Sequence, residues 1–244
     1  MIDQLLLFII LALVAEIFGT VGGFGSSMLF VPIAGYFLDF HSVLGITALF
    51  HVASNLSKIA LFRNGFNKQL IFYIGIPAVV FVILGAYLSR FISTQYLEII
   101  LGAFLIIIGL VLLIAKNLKI APTPTNSVIG GILSGLVAGL LGTGGAIRGV
   151  VLSAYVMKVE VFIATSAIID LAIDLSRSVV YASNGYIHQH DLYLVPILVV
   201  VSIVGTYIGR LILKKMSEQQ FRNAVLVMVL LTGTITLIRN IYTF

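Results

Sequence analysis

Seven ionisable side chains lie inside stretches that are otherwise almost wholly apolar: Glu16, His51, Lys58, Arg148, Asp170, Asp174 and Arg177. A charge at the centre of a bilayer costs about 2.5–3.5 kcal/mol on insertion scales, so a chain keeps one there to pair, to hold an ion or to carry a proton. Spacings of four and seven place His51, Asn55 and Lys58 on one helix face, and Asp170, Asp174 and Arg177 on another. Arg148 offers fixed positive charge for an anion. Asp170 and Asp174 lack a matching basic excess nearby in sequence, which makes them candidates for proton coupling. His51 is either a satisfied core histidine or a proton carrier, and Asn55 belongs to its face. Glu16 either compensates charge or binds a helix partner for structural reasons. Arg177 either neutralises Asp174 alone or acts beyond it, and Lys58, near a helix end, is expected to snorkel towards water.

Two glycine-rich stretches interrupt apolar runs: G-T-V-G-G-F-G-S-S at 19–27 and G-L-L-G-T-G-G-A-I-R-G at 139–149. Clustered glycines break a helix, and broken backbone survives at membrane depth only inside protein or beside a water-filled cavity. Paired, glycine-interrupted segments in two halves point to a transporter's binding site. The expected binding set is therefore Gly22, Gly23, Gly25, Ser26 and Ser27 from the first break, with Gly142, Thr143, Gly144, Gly145 and Arg148 from the second. Ser26, Ser27 and Thr143 can cap a half-helix or donate to a bound oxyanion. Arg148 follows the second break at the start of a half-helix, where free N–H groups and the helix dipole already attract anions.

Other chemistry is weakly supported. His188, His190 and Asp191 fall in a polar outer loop without an evident fourth ligand, so neither a metal site nor a cofactor is expected. A hydrolase built on Ser26 or Ser27 with His51 lacks the G-x-S-x-G elbow, and no enzyme activity is expected.

The elements that must position these residues are membrane helices. Hydrophobic residues make up 60% of the 244-residue chain and charged residues 9%, and the mean hydropathy is +1.18. Soluble domains carry about 25% charge. The net charge of +5 comes without a basic, aromatic-laced cluster, which excludes a nucleic-acid partner. The chain has no cysteine, hence no disulfide, and no Lys or Arg precedes the first apolar run, which argues against a cleaved signal peptide.

The expected fold is all-α and polytopic, in two inverted-topology repeats, each a glycine-broken hairpin plus three transmembrane helices. The first repeat covers 1–115, with a hairpin at about 4–38 and helices at about 42–62, 69–90 and 95–115. A polar linker follows at 116–126, marked by Pro122 and Pro124. The second repeat covers 127–244, with a hairpin at about 127–157 and helices at about 160–182, 191–213 and 220–241. The duplication is read from ordered landmarks. Gly19, Gly22, Gly25, Gly85, Tyr87 and Arg90 recur 120 residues later as Gly139, Gly142, Gly145, Gly205, Tyr207 and Arg210. His51, Asn55 and Lys58 meet Asp170, Asp174 and Arg177 at an offset of 119.

Charge placement supports the hairpin. One helix over 4–38 would be about 50 Å long against about 30 Å of hydrocarbon, and loop charges would show no side bias. Folding at 22–25 into two short helices puts Arg63, Lys68, Lys116, Lys119, Lys158, Lys214, Lys215 and Arg222 on one side, with Arg90 and Arg239 opposite. The rich side is then cytoplasmic in a bacterial-type inner membrane, and both termini lie outside.

With these motifs in view, the sequence resembles the sulfite exporter TauE/SafE family of membrane permeases. The resemblance is carried by G-T-V-G-G-F-G-S-S-M-L-F-V-P at 19–32, G-I-T-A at 45–48, R-N-G at 63–65, G-T-G-G-A at 142–146 and A-T-S at 164–166. It implies export of sulfite or a related sulfur-containing anion, at a site involving Gly22, Gly23, Gly25, Ser26, Gly142, Gly144 and Gly145. The second repeat departs from the pattern: Arg148 follows its glycines, Leu152 stands where the first has Pro32, and Asp170, Asp174 and Arg177 add charge. A small oxyanion or organosulfonate is therefore the expected substrate, moved by alternating access with a proton as the candidate coupling ion. The rivals are uptake of a related anion (thiosulfate, sulfonate or carboxylate) and a passive anion channel. The expected partners are that anion and the lipid bilayer.

Overall fold

The computed structural model describes residues 2–22, 25–63, 65–114, 120–213, 215, 226–227 and 229–238. Gly23 lies outside the described residues, as do the loop charges Lys116, Lys119, Lys214, Arg222 and Arg239. The described chain is helical, with no strand among the described residues. In order, the helices are α1 (Ile2–Gly22), α2 (Ser27–Ala34), α3 (Phe40–Leu61), α4 (Lys68–Ser89), α5 (Thr94–Ile114), α6 (Pro124–Leu141), α7 (Gly145–Ser153), α8 (Val159–Ser183), α9 (Leu194–Leu213) and α10 (Val229–Ile238). Six of them, α1, α3, α4, α5, α6 and α9, are long and apolar enough to cross a membrane. At 25 residues α8 is also long enough, but it carries Asp170, Asp174 and Arg177 in its middle.

The helix ends follow local chemistry. Asp39 caps α3 by accepting from the backbone N–H groups of His41 and Ser42. Partial burial pushes the Asp39 carboxyl up, but hydrogen bonds from the Ser42 hydroxyl and backbone outweigh it and hold the carboxyl below its ordinary value of 3.8. Thr123 caps α6, with Pro124 in its first turn. Gly142 ends α6 at φ +75°, a left-handed conformation that suits glycine, and its N–H closes on the Ala138 carbonyl. In α4, residues 71–75 are wound as a π-turn just before Pro77, which has no N–H for the helical ladder.

The breaks differ from two short helices. The first arm of each hairpin is long: α1 has 21 residues and α6 has 18. The return arms α2 and α7 have 8 and 9 residues, about 12–14 Å of helix. They are too short to cross about 30 Å of hydrocarbon. Each return arm folds back on its long partner: Phe8 meets Phe30 and Phe37 across the first hairpin, and Gly130 meets Val151 across the second.

Close packing fixes how the helices run. Gly131, Gly135 and Gly139 form a glycine stripe on α6, four residues apart, against Ile74, Ala78 and Val82 of α4, so these two helices run parallel. A Cβ at any of the three would strike α4 backbone, and such small-residue stripes let helix backbones touch where lipid supplies no hydrophobic drive. Glu16 and Thr20 of α1 lie on Gly205 and Gly209 of α9, another parallel pair. In contrast, α3 and α8 are antiparallel: Gly45 abuts Tyr186, and Asn55 bonds Asp174. Phe62 packs with Ile163 and Ala164, which brings Arg63, Lys68 and Lys158 to one end of the molecule. Arg90 follows α4 at the other end.

Gly135→Val should therefore separate α4 from α6. The expected loss is about 1–3 kcal/mol or more, read as a lowered melting temperature in detergent. Leu133→Ala, at an outward position, should leave melting nearly unchanged.

Candidate functional site

The two breaks meet. Thr143 in the second donates to the Ser27 hydroxyl of the first at 3.2 Å, and both residues are buried. Around this contact lies a cavity of about 20 Å³. From the first half, its wall takes Gly25, Ser26, Ser27, His51 and Asn55 of the expected residues; the second half supplies Gly142, Gly144, Gly145, Arg148, Asp170, Asp174 and Arg177. Gly22 ends α1 and Thr143 sits in the second break, both off the wall. Glu16 stands behind the wall, bonded to residues that line it. The N-terminal ends of α2 and α7 both border the cavity, through Ser26 and Ser27 in one and Gly144 and Gly145 in the other; the first N–H groups of a helix lack intrahelical partners, and in α2 the Leu29 N–H closes on the Ser26 carbonyl.

Glu16 is fully buried and densely partnered. Its carboxylate accepts from Thr20 at 3.2 Å, Ser26 at 2.6 Å, Ser54 at 2.6 Å and Thr206 at 3.0 Å, and pairs with Lys58 at 3.0 Å. Lys58 therefore does not snorkel: it is 6% exposed and turns its ammonium inward to Glu16 and Ser54. A carboxylate one helix away outweighs the distant water. Ser26 stands at the N-cap of α2, yet its side chain makes no cap bond. Its hydroxyl goes to Glu16 and lies 3.0 Å from His51 Nε2.

Arg177 does more than neutralise Asp174. It donates to Asp174 at 2.8 Å and also to the Gly142 carbonyl at 2.7 Å and the Ala138 carbonyl at 3.3 Å. It thus satisfies the C-terminus of α6, where orphan carbonyls and the negative dipole end attract a cation. Asn55 completes Asp174 at 2.7 Å. Arg148 sits in the first turn of α7, 1% exposed, with its guanidinium on Asp170 and on the Ser166 hydroxyl at 3.3 Å. Asp170 keeps a side-chain exposure of 18%. It also borders a second small cavity, lined by Thr20, Lys58, Ile163 and Ser166, towards the end that carries Lys158.

Among the described residues, His51 has no carboxylate bonded to its ring. Its Nδ1 faces the Arg177 guanidinium at 3.4 Å, while Ser26 is already hydrogen-bonded to Glu16. Ser26 and His51 thus lack the acid that orients the base in a nucleophilic triad.

Four contributors were not in the expected set: Ser54, Thr20, Ser166 and Thr206. Three carry a local signal. Ser54 lies three residues after His51 and four before Lys58, Thr20 four after Glu16, and Ser166 four before Asp170, all on the relevant helix faces. Thr206 reaches Glu16 from α9 with no neighbour in sequence to announce it.

Three cations and three carboxylates thus pair inside an apolar shell. Removing one member of a buried pair leaves the other uncompensated, at about 3–5 kcal/mol. Lys58→Met should lower thermal stability in detergent on that scale, and adding Glu16→Gln should recover part of the loss. A snorkelling lysine would instead give a near-neutral single variant.

Neither a curated protein nor a solved structure matches this chain. The family model for the sulfite exporter TauE/SafE matches residues 8–235, nearly the whole length. Helices long enough to span a membrane, broken twice where buried charge collects, thus belong to a chain that is a member of the sulfite exporter TauE/SafE family.

Proposed function

We propose that this protein exports a small sulfur-containing anion, sulfite or an organosulfonate, by alternating access around the cavity at the two helix breaks, with a proton as the coupling ion. The carrying observation is Arg148: a buried guanidinium in the first turn of α7, on a wall where two half-helix N-termini converge, paired with Asp170. Sulfur oxyanions suit such a site because N–H groups and a guanidinium hydrogen-bond their oxygens directly. The direction and the sulfur chemistry rest on the family; the grip on an anion rests on this geometry.

Charge balance supports the proton. Arg148, Arg177 and Lys58 are already matched by Asp170, Asp174 and Glu16, so an added anion needs a compensating positive charge. Of the three carboxylates, Glu16 is held by five donors and Asp174 by two at 2.8 Å or closer, whereas Asp170 has Arg148 and a long contact to Ser166 at 3.5 Å. In this proposal a proton on Asp170 releases Arg148 to the anion, and the two travel together. The cavity of about 20 Å³ offers the room of roughly one water, so anion entry requires the Arg148–Asp170 pair to part.

The inverted repeat is part of the same reading. Its support is that contacts recur with the halves exchanged: Gly85 lies on Leu136 of α6, and Gly205, 120 residues on, lies on Glu16 of α1. Asn55 bonds Asp174, its own counterpart at an offset of 119. An inner-membrane orientation with outer termini is supported by Arg63, Lys68 and Lys158 sharing one end. Rocking of one half against the other would then open the cavity alternately.

In proteoliposomes loaded with sulfite, thiosulfate, sulfate, sulfonates or carboxylates, flux should saturate and favour the sulfur-containing anions. Arg148→Ala should weaken binding of the preferred anion by tenfold to a hundredfold, about 1.5–3 kcal/mol for a charged hydrogen bond. A parent-like response would remove Arg148 from the site. Ohmic, unsaturable conductance would replace the transporter with a channel.

Flux of the parent should also follow an imposed pH gradient, and Asp170→Asn should abolish that dependence while retaining downhill anion exchange. A parent flux indifferent to the gradient would remove the coupling.

A further inference from the structure

Far from the ion pairs, at the end of the molecule that carries Arg90, the connection between α8 and α9 folds against the start of α3. Here His188, His190 and Asp191 bring their ligand atoms within 4.8 Å of one another. The geometry points to a site for a divalent transition-metal ion of the zinc type, held by His188, His190 and Asp191 with water completing its shell. This does not depend on the transport reading, and it departs from the expectation from sequence that no metal binds here.

The separations suit such an ion. His190 Nε2 is 3.5 Å from one Asp191 oxygen and His188 Nδ1 is 3.7 Å from the other. Tetrahedral ligands at about 2.0–2.1 Å from zinc stand roughly 3.3 Å apart, so each histidine is close to that spacing from Asp191, and the three ligand atoms, within 4.8 Å of one another, draw together around the ion. They are too far apart to be ordinary hydrogen bonds.

A second observation points to a ligand. Asp191 is 4% exposed, yet its Oδ2, the atom nearest His188, is buried without a hydrogen-bond partner. A buried carboxylate oxygen left unpaired is costly, and a cation between it and the imidazoles removes that cost. The Ser42 hydroxyl, which donates to Asp39 at 2.6 Å, lies 2.7 Å from His188 Nδ1, a contact that an ion on this nitrogen would displace. Imidazole and carboxylate together favour zinc, cobalt or nickel over magnesium, which prefers oxygen ligands and retained water. All three donors lie in the connection between α8 and α9, so the ion pins that turn.

The test uses the full chain, purified in detergent with a tag other than polyhistidine and stripped with chelator. Zn²⁺ should bind saturably by calorimetry at about one equivalent, Mg²⁺ should not compete, and Co²⁺ should give visible ligand-field absorption. His190→Ala and Asp191→Asn should each weaken Zn²⁺ at least about tenfold. The His190 side chain is 75% exposed, so its removal leaves packing intact and metal-free melting should match the parent. Absent saturable binding, or binding undiminished in either variant, would overturn the site. Flux with Arg148→Ala bears on the anion site alone, so the two proposals fail separately.

Discussion

Buried charge must find opposite charge, and in this protein the partners are arranged so unevenly that the arrangement itself ranks what can move. Glu16 takes four hydroxyls and an ammonium from α1, α2, α3 and α9. Asp174 takes a guanidinium and an amide. Asp170 takes one guanidinium at short range. Desolvation penalises all three, but Glu16 is repaid by five donors, Asp174 by two, and Asp170 by one close partner on a different helix with Ser166 at 3.5 Å. A carboxylate with several close donors acts as a rivet. One with a single close partner can exchange it.

The helix breaks make that exchange local. A continuous helix would bury its N–H groups in its own ladder, whereas α2 and α7 each begin at the cavity wall, which the positive ends of their dipoles therefore border. That geometry needs tight backbone contact around the tips. Gly19 meets Ser26 and Gly144 meets Ser134 closely enough that a Cβ would collide with backbone in both hairpins. The glycine stripe at Gly131, Gly135 and Gly139 does the corresponding work between α6 and α4. Arg177 closes the remaining open end by satisfying the carbonyls where α6 stops.

Much of this was legible in the sequence because it is periodic or expensive. Hydropathy runs predicted the long helices to within a few residues: 160–182 is Val159–Ser183, and 95–115 is Thr94–Ile114. The cost of burying charge singled out Arg148, Asp170 and Asp174 without coordinates, and all three line one cavity. Partner choice was not legible. Lys58 lies near enough to a helix end to snorkel, and only the fold shows Glu16 within reach at 3.0 Å. Ser26 has the right residue type and position for a cap, but a carboxylate ten residues back competes for its hydroxyl and wins. The lengths of the return arms were equally hidden, since an apolar run does not mark where α2 gives way to the turn before α3.

The contact between Asn55 and Asp174 carries the argument one step further. On the repeat reading these two residues are counterparts, and residues that touch their own counterparts lie on the axis relating the halves. Exchanging the conformations of the halves leaves such a contact in place. The other pairs do not survive the exchange: the counterparts of Glu16 and Lys58 are Leu136 and Arg177, and those of Arg148 and Asp170 are Met28 and His51. No ion pair can form between leucine and arginine, or between methionine and histidine. On the proposed alternating access, the cycle is therefore asymmetric in its chemistry even if symmetric in its backbone. In that proposal the charge pairs that set the resting balance belong to one conformation, and the polar pair on the axis is common to both.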